Sequence, residues 1–325
     1  MNNPLEFEIR EDLQPDPDEV SFDLDRALKA VVAVRTEVPE DAFTAATPGT
    51  ERRGHGVVIG ERGLVLTIGY LIVEAARVWL VDAAGRAVAG HVVGYDQETG
   101  FGLVQALQPL EAETLALGSS ADLRVGDRVI FAGAGGRTQS LATEVAAVRE
   151  FAGYWEYLLD AAIFTTPPHP FWGGGALIGP DGTLRGIGSL FVQDVEPGGG
   201  AREGNMVVPV DIVKPILESM ISIGRSGRPR RPWLGMFTAE AIGKVVVAGL
   251  WSGGPAEKAG VEAGDLILEV DGRPVTGMAD MLRRIWSLGE AGVEVPLIVF
   301  RDRQIMEIAV TSASRSDYHK APKLH

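Results

Sequence analysis

Short apolar runs constrain this chain more than any other feature. They recur at roughly 8–12-residue spacing, separated by glycine-rich or polar turns. Examples are GVVIGERGLVLT (56–67), ARVWLVDAAGRAVAGHVVGYD (76–96), FGLVQAL (101–107), DRVIFAGA (127–134) and TLRGIGSLFV (183–192). Runs this short, punctuated in this way, predict barrels or sandwiches of antiparallel strands. A parallel α/β sheet is disfavoured, because no long helical periods alternate with the strands.

Helical patterns are few. Leu24–Val34 begins helical and turns into a β-rich run. Asp211–Gly224 is the first long helical pattern: Asp211 suits an N-cap, Ile212, Ile216, Leu217 and Met220 form an apolar face, and Gly224 is a natural stop. GRSGRPRRP (224–232) has the glycine, proline and charge of a linker. The expected organisation is an acidic, proline-rich arm (1–25), a large β domain (26–224), a basic linker (225–232), a small second domain (233–312) and a polar, frayed tail (313–325).

With 325 residues the chain is long enough for two or three domains, and 46% hydrophobic residues can fill their cores. The net charge of −14 argues against nucleic acid and anionic membrane as partners. The absence of cysteine removes disulfides, thiolate metal sites and a cysteine nucleophile. The acidic start has no apolar stretch, and no run of about 18 apolar residues follows, so no membrane span is expected. A cytoplasmic location is expected on this ground, or an extracytoplasmic one if the chain is a truncated precursor.

Five segments carry a family signature in order: GHGVVIGERGLVLTIGYLI (54–72), GYDQETGFGLVQAL (94–107), IFTTPPHPFWGGGAL (163–177), DGTLRGIGSL (181–190) and NMVVPVDIVKPILESMISIGR (205–225). Together they resemble trypsin-like serine proteases of the HtrA/Deg family. The resemblance implies two six-stranded β-barrels. It also locates the catalytic positions. The family's threonine is present as Thr67, but Tyr70 stands where the histidine belongs. Asp96 keeps the first aspartate of its segment, but Gly100 stands at the catalytic aspartate. Matching Ala176-Leu177 to the family's Pro-Leu puts Gly173 at the serine. A serine attacks a carbonyl only when a histidine takes its proton and a carboxylate holds that histidine. A tyrosine with a pKa of about 10 is no substitute base, and loss of nucleophile or base costs on the order of 10⁶ in rate. The expectation is therefore a pseudoprotease, not an enzyme.

The five histidines offer little rescue. His55 is expected before the first strand, His91 on a strand, and His319 and His325 in the tail. His169 lies in the altered loop, with no serine, threonine or aspartate at recognisable spacing. No metal and no cofactor is expected. The Gly173-Gly174-Gly175 run reads either as an anion-receiving nest or as a collapsed, flexible loop. Phe171 and Trp172 either fill the former substrate cleft or contact a partner.

WLGM (233–236), KVVVAGLWSGGPAEKAGVEAGDLILEVDGRPV (244–275), MADMLRRIWSLG (278–289) and VPLIVFRDR (295–303) resemble a PDZ domain of the kind appended to HtrA-like proteases. Such a module adds a peptide strand to a sheet edge, holds a carboxylate by backbone N–H groups and takes the last side chain into an apolar pocket. The resemblance assigns peptide binding to Trp233, Leu234, Gly235, Met236, Phe237, Met281, Leu282 and Ile285, although such residues also serve as ordinary PDZ core. The expected fold is mainly β: two six-stranded trypsin-like barrels followed by an α+β PDZ domain. The expected function is a non-catalytic scaffold, adaptor or regulatory subunit. It would bind protein or peptide partners through the PDZ groove and the former cleft, as a homo-trimer or as a subunit of a larger complex. The alternatives are an HtrA-like serine endopeptidase with relocated catalytic residues and a holdase-type chaperone.

Overall fold

The computed structural model describes residues 8–60, 62–195 and 202–320. The first seven residues of the expected arm, and tail residues 321–325 with His325, lie outside them. The first regular helix, α1 (Leu24–Leu28), is capped by the Asp23 carboxylate, which accepts the Arg26 N–H at 3.0 Å. Six strands follow: β1 (Val31–Glu37), β2 (Glu51–Gly60), β3 (Leu64–Ile68), β4 (Arg77–Val81), β5 (Ala87–Tyr95) and β6 (Phe101–Ala106). They pair in the order β1-β2-β3-β6-β5-β4 and close through β1 and β4, with Val34 opposite Leu80. Closure leaves the sheet without a free edge. Val34, Leu66, Leu80, Phe101 and Leu103 fill the interior, each fully buried.

A second barrel repeats the solution with β7 (Arg128–Ala132), β8 (Ser140–Gly153), β9 (Tyr157–Thr166), β10 (Ala176–Ile178), β11 (Leu184–Val192) and β12 (Gly204–Pro209). The order is β10-β11-β12-β9-β8-β7, closed by β10 against β7 with Leu177 opposite Phe131. Phe131, Val145, Ile163, Leu177 and Val207 form its core.

The helix after β12 is shorter than the apolar pattern predicts. Residues Val210–Ile212 and Lys214–Ile216 form 3₁₀ turns, and α2 spans only Leu217–Ile223. Pro215 lacks an N–H and crowds the preceding turn, which disfavours an α-helix through this segment. Gly224 ends α2 as expected, in a left-handed conformation (φ 74°) that returns its N–H to the Met220 carbonyl at 3.1 Å. Asp211 is not its N-cap. The Asp211 carboxylate instead accepts the Ser120 hydroxyl at 2.8 Å and the Ala121 N–H at 2.9 Å, and pairs with Lys214 at 2.6 Å.

A second compact unit contains residues 228–319 together with 150–160, the tip of the β8–β9 hairpin. Its sheet has the order β13-β14-β15-β17-β18, with the two-residue β16 beside β15. The strands are β13 (Met236–Ala241), β14 (Lys244–Leu250), β15 (Leu266–Val270), β16 (Arg273–Pro274), β17 (Glu294–Arg301) and β18 (Gln304–Thr311). The helices are α3 (Pro255–Lys258) and α4 (Met278–Ser287). Met281, Leu282 and Ile285 of α4 are buried with Leu234, Met236, Val247, Ile267 and Leu297.

The segment after β18 is held rather than frayed. Trp233 and Ala313 exchange backbone hydrogen bonds at 2.9 and 3.0 Å, Tyr318 packs edge-on against Trp233 and Arg230 pairs with Asp317 at 2.6 Å. An indole that needs covering outweighs the polarity of the sequence around Tyr318. Among the described residues, no helix is long and apolar enough to cross a membrane.

Replacing Asp211 removes the acceptor that joins the 120–122 turn to the segment after β12. Asp211→Ala is expected to lower stability by about 1–3 kcal/mol. Urea unfolding monitored by circular dichroism checks this, with Asp211→Asn expected to lose less.

Candidate functional site

The three positions assigned to the triad lie together in the first unit. Tyr70 sits in the 3₁₀ turn Gly69–Leu71 after β3. The Gly69 N–H donates to the Gly100 carbonyl at 2.6 Å. A Cβ built on Gly173 would lie 2.7 Å from the Tyr70 hydroxyl, so the phenol occupies the space a side chain at 173 would need. That hydroxyl donates to the Ser189 carbonyl at 2.9 Å, and burial pushes its pKa up. Asp96, buried, caps the turn before Gly100 by accepting the Thr99 N–H at 2.8 Å and hydroxyl at 2.7 Å. Sequence reasoning missed Arg52. Its buried guanidinium donates to the carbonyls of Tyr70 at 2.7 Å and Val73 at 3.0 Å, fixing the turn, and burial lowers its pKa to about 10.

The glycine loop is tied by backbone hydrogen bonds rather than left as an open nest. The Gly174 N–H donates to Gly188 O at 2.8 Å, the Gly175 N–H to Trp172 O at 3.1 Å, and Gly173 O accepts the His55 N–H at 2.8 Å. Gly174 has φ 79°, and a Cβ there would land on the His55 carbonyl oxygen. Thr67 Oγ1 donates to the same oxygen at 2.6 Å. Trp172 is half-buried against the second barrel's core and Phe191.

Two histidines lie behind this loop in structural roles. His55 is inside β2, not before the first strand, and its Nδ1 accepts the Ala134 N–H at 3.1 Å. His169 stacks on Phe131, and its Nε2 is 3.1 Å from the Gln139 carbonyl, which requires the proton on Nε2. Its backbone N–H donates to Asn205 Oδ1 at 2.7 Å. Burial pushes His55 down to about 3, with the His169 ring adding to it, and lowers His169 as well. His91 is exposed on β5. No group of three or more His, Asp or Glu that could hold a metal occurs among the described residues.

In the second unit the WLGM segment leads into β13, the edge strand of its sheet. Trp233, Leu234, Gly235 and Met236 are buried, Phe237 is half-buried, and Met281, Leu282 and Ile285 lie in the apolar core beside β13. The N–H groups of Leu234, Gly235 and Met236 converge on one carboxylate. It is that of Glu156, at 3.0, 2.7 and 2.9 Å. Burial pushes the Glu156 carboxyl up, while the three N–H donors and Arg315 pull it back. Sequence reasoning missed Glu156. The available signal was the aromatic cluster Tyr154-Trp155-Glu156-Tyr157, since large apolar side chains at a turn need something to cover them.

The pattern of a trypsin-like peptidase domain matches residues 54–187, and that of a PDZ domain matches 246–297. The periplasmic pH-dependent serine endoprotease DegQ of Escherichia coli K12 is 27% identical over 316 residues, covering 89% of this chain and 69% of its own length. A probable periplasmic serine endoprotease, DegP-like, from Halomonas elongata is 28% identical, covering 83% of this chain and 58% of its own length. The corresponding protein of Chlamydia muridarum is 26% identical, with 80% and 53% covered, so the chain spans little more than half of these two relatives. Among solved structures, the HtrA-type protease AlgW with decapeptide superposes with a TM-score of 0.54 at 21% identity, covering 90% of this chain and 97% of its own. The serine endoprotease from Yersinia pestis gives 0.52 at 21%, covering 91% and 99%. These superpositions establish the fold.

Two expectations are corrected. Relatives at 26–28% identity are named serine endoproteases, which overturns the expectation that the chain is not an enzyme. That expectation rested on Tyr70, Gly100 and Gly173 and on the lack of a recognisable substitute among the histidines, and three positions speak only for the mechanism that uses them. The same relatives are named periplasmic, which overturns the cytoplasmic expectation. An export leader is removed from a mature chain, so its absence from a sequence carries no weight.

The buried imidazoles make stability depend on pH. Their pKa values are lower folded than unfolded, so their contribution is present above about pH 6.5 and is lost as pH falls through the folded values. The unfolding free energy from urea titration is expected to fall between pH 7 and 5, by up to about 1.4 kcal/mol per pH unit for each imidazole, and the urea midpoint with it. An invariant midpoint over that range contradicts the assignment. Gly174→Ala is expected to cost more than about 2 kcal/mol, read by the same unfolding measurement.

Proposed function

We propose that this chain, an HtrA/Deg-like protein with a trypsin-like peptidase domain joined to a PDZ domain, acts on polypeptides by capturing them in the PDZ groove. The observation that carries this reading is the convergence of the Leu234, Gly235 and Met236 N–H groups on one carboxylate at the start of an edge strand. That is the chemistry of chain-end recognition: the backbone donors hold the carboxylate, the edge of β13 pairs with the incoming strand, and the apolar residues beside it take a side chain. Trp233, Phe237, Met281, Leu282 and Ile285 belong to this groove as its walls. The ligand class is a polypeptide end with a free carboxylate and an apolar last residue. Homo-oligomeric assembly, a trimer by family resemblance, belongs to the same proposal.

A second reading is favoured by the names of the relatives: serine endoproteolysis of the captured chain. The positions we assign to the triad carry Tyr70, Gly100 and Gly173, which supply neither nucleophile nor base. Cleavage by this chain would draw both from other residues. Incubation of purified protein with unfolded casein, alongside a fluorophosphonate probe of nucleophilic serines, decides the point. Cleavage with a labelled serine establishes the endoprotease reading and identifies the residue, and intact casein with no label removes it.

The capture reading is tested with fluorescent decapeptides ending in leucine. Peptides with a free carboxylate are expected to bind and their carboxamides to bind at least about tenfold more weakly, since charge-assisted hydrogen bonds are lost. Equal binding of the two overturns it.

A further inference from the structure

The carboxylate in the PDZ loop is the protein's own. Glu156 is at the tip of the β8–β9 hairpin, and residues 150–160 belong to the same compact unit as residues 228–319. Three features of this tip reproduce three parts of a peptide ligand. The Glu156 carboxylate, 7% exposed, takes the N–H groups of Leu234, Gly235 and Met236. The Tyr154 carbonyl accepts the Thr238 N–H of β13 at 2.9 Å, so the tip begins to pair with the edge strand. Leu158 is buried in the apolar cluster that holds Leu234, Met236, Met281, Leu282 and Ile285. A carboxylate in the loop, a backbone on the edge and an apolar side chain in the core are what a bound chain end supplies.

The tip is also secured at its flanks. Arg283 of α4 pairs with Glu150 on one strand of the hairpin and with Asp160 on the other, both at 2.5 Å. Arg315 donates to the Trp155 carbonyl at 3.2 Å. The Tyr154 ring lies 6.0 Å from Phe237, and Trp155 stacks on Tyr157. Glu156 adopts φ 62°, a left-handed conformation uncommon for a glutamate and one that the surrounding contacts must hold. A tip that served only to turn the chain would gain nothing from burying a carboxylate, whose desolvation is costly unless specific donors compensate it. Here three backbone donors, otherwise waiting for a ligand, supply that compensation.

We propose that the 150–160 hairpin tip is an internal ligand of the PDZ groove, and that an external chain end must displace Glu156 and Leu158 to bind. This rests on the capture reading and adds its regulation: the site is closed at rest, and its selectivity is set by competition with the tip. A groove open only part of the time binds with an affinity reduced by the open fraction. Removing the internal carboxylate therefore tightens external binding, without any change to the groove itself.

The experiment measures a fluorescein-labelled decapeptide, ending in leucine with a free carboxylate, against full-chain protein, Glu156→Ala and Glu156→Gln. Fluorescence polarisation reads affinity, and amide hydrogen exchange reads the Leu234–Thr238 segment. Glu156→Ala is expected to bind about tenfold or more tightly than the unaltered chain. Its free form is expected to exchange faster at Leu234–Met236, with protection returning on addition of the peptide. Glu156→Gln keeps an acceptor of the same shape without the charge and is expected to fall between the two. Arg283→Ala loosens the flanks without touching the loop and is expected to tighten peptide binding in the same direction. Equal affinity of the unaltered chain and Glu156→Ala, both folded by circular dichroism, overturns the internal-ligand proposal while leaving capture standing. Failure of every form to bind, with exchange at Leu234–Met236 unchanged by peptide, overturns capture itself and the displacement proposal with it.

Discussion

An unpaired strand edge is the constraint on which this architecture turns. Backbone N–H and C=O groups that lose water without gaining a partner cost free energy comparable to a lost hydrogen bond. The first two sheets meet the demand by closing, β1 on β4 and β10 on β7. The third sheet is open, and β13 remains at its edge, with three N–H groups at its start aimed at one point. A chain segment from the same protein answers them. The feature that makes a PDZ sheet useful for binding also makes it costly to leave empty.

The first unit shows the same economy at the positions assigned to the triad. The Tyr70 hydroxyl takes the Ser189 carbonyl and fills the space in front of Gly173. The glycine loop behind it is tied into both neighbouring barrels by backbone bonds to His55 and Gly188. His55 and His169 are held neutral by burial and serve as acceptor, donor and packing surface. The His55 Nε2 is the exception, buried without a hydrogen-bond partner among the described residues, and the loop is held by the backbone bonds around its glycines.

Most of the scaffold was legible. Regular short apolar runs predicted strands, and closed barrels satisfied them. The turn at Gly224 and the burial of Met281, Leu282 and Ile285 follow from helical spacing and glycine's freedom at positive φ. The helix before Gly224 was over-extended because an apolar period continues through Pro215, where the backbone cannot. The tail was read as frayed because composition does not reveal that Trp233 needs the Tyr318 ring against it. Catalysis and location were misjudged for a related reason: absent side chains and an absent leader were taken as evidence.

The sequence by itself determined the short strands between turns, the identities Tyr70, Gly100 and Gly173 and, through the family resemblance, the two six-stranded barrels and the PDZ module, because turn residues, apolar runs and motif spacing are local properties of the chain. Only the tertiary structure decided what occupies the PDZ loop. Glu156 and Leu234 are separated by 78 positions, and no periodicity links them. Their contact exists because a hairpin tip reaches an open sheet edge, where three unpaired donors and an apolar core make a buried carboxylate and a leucine favourable. Such complementarity belongs to surfaces, which form only when the chain has folded.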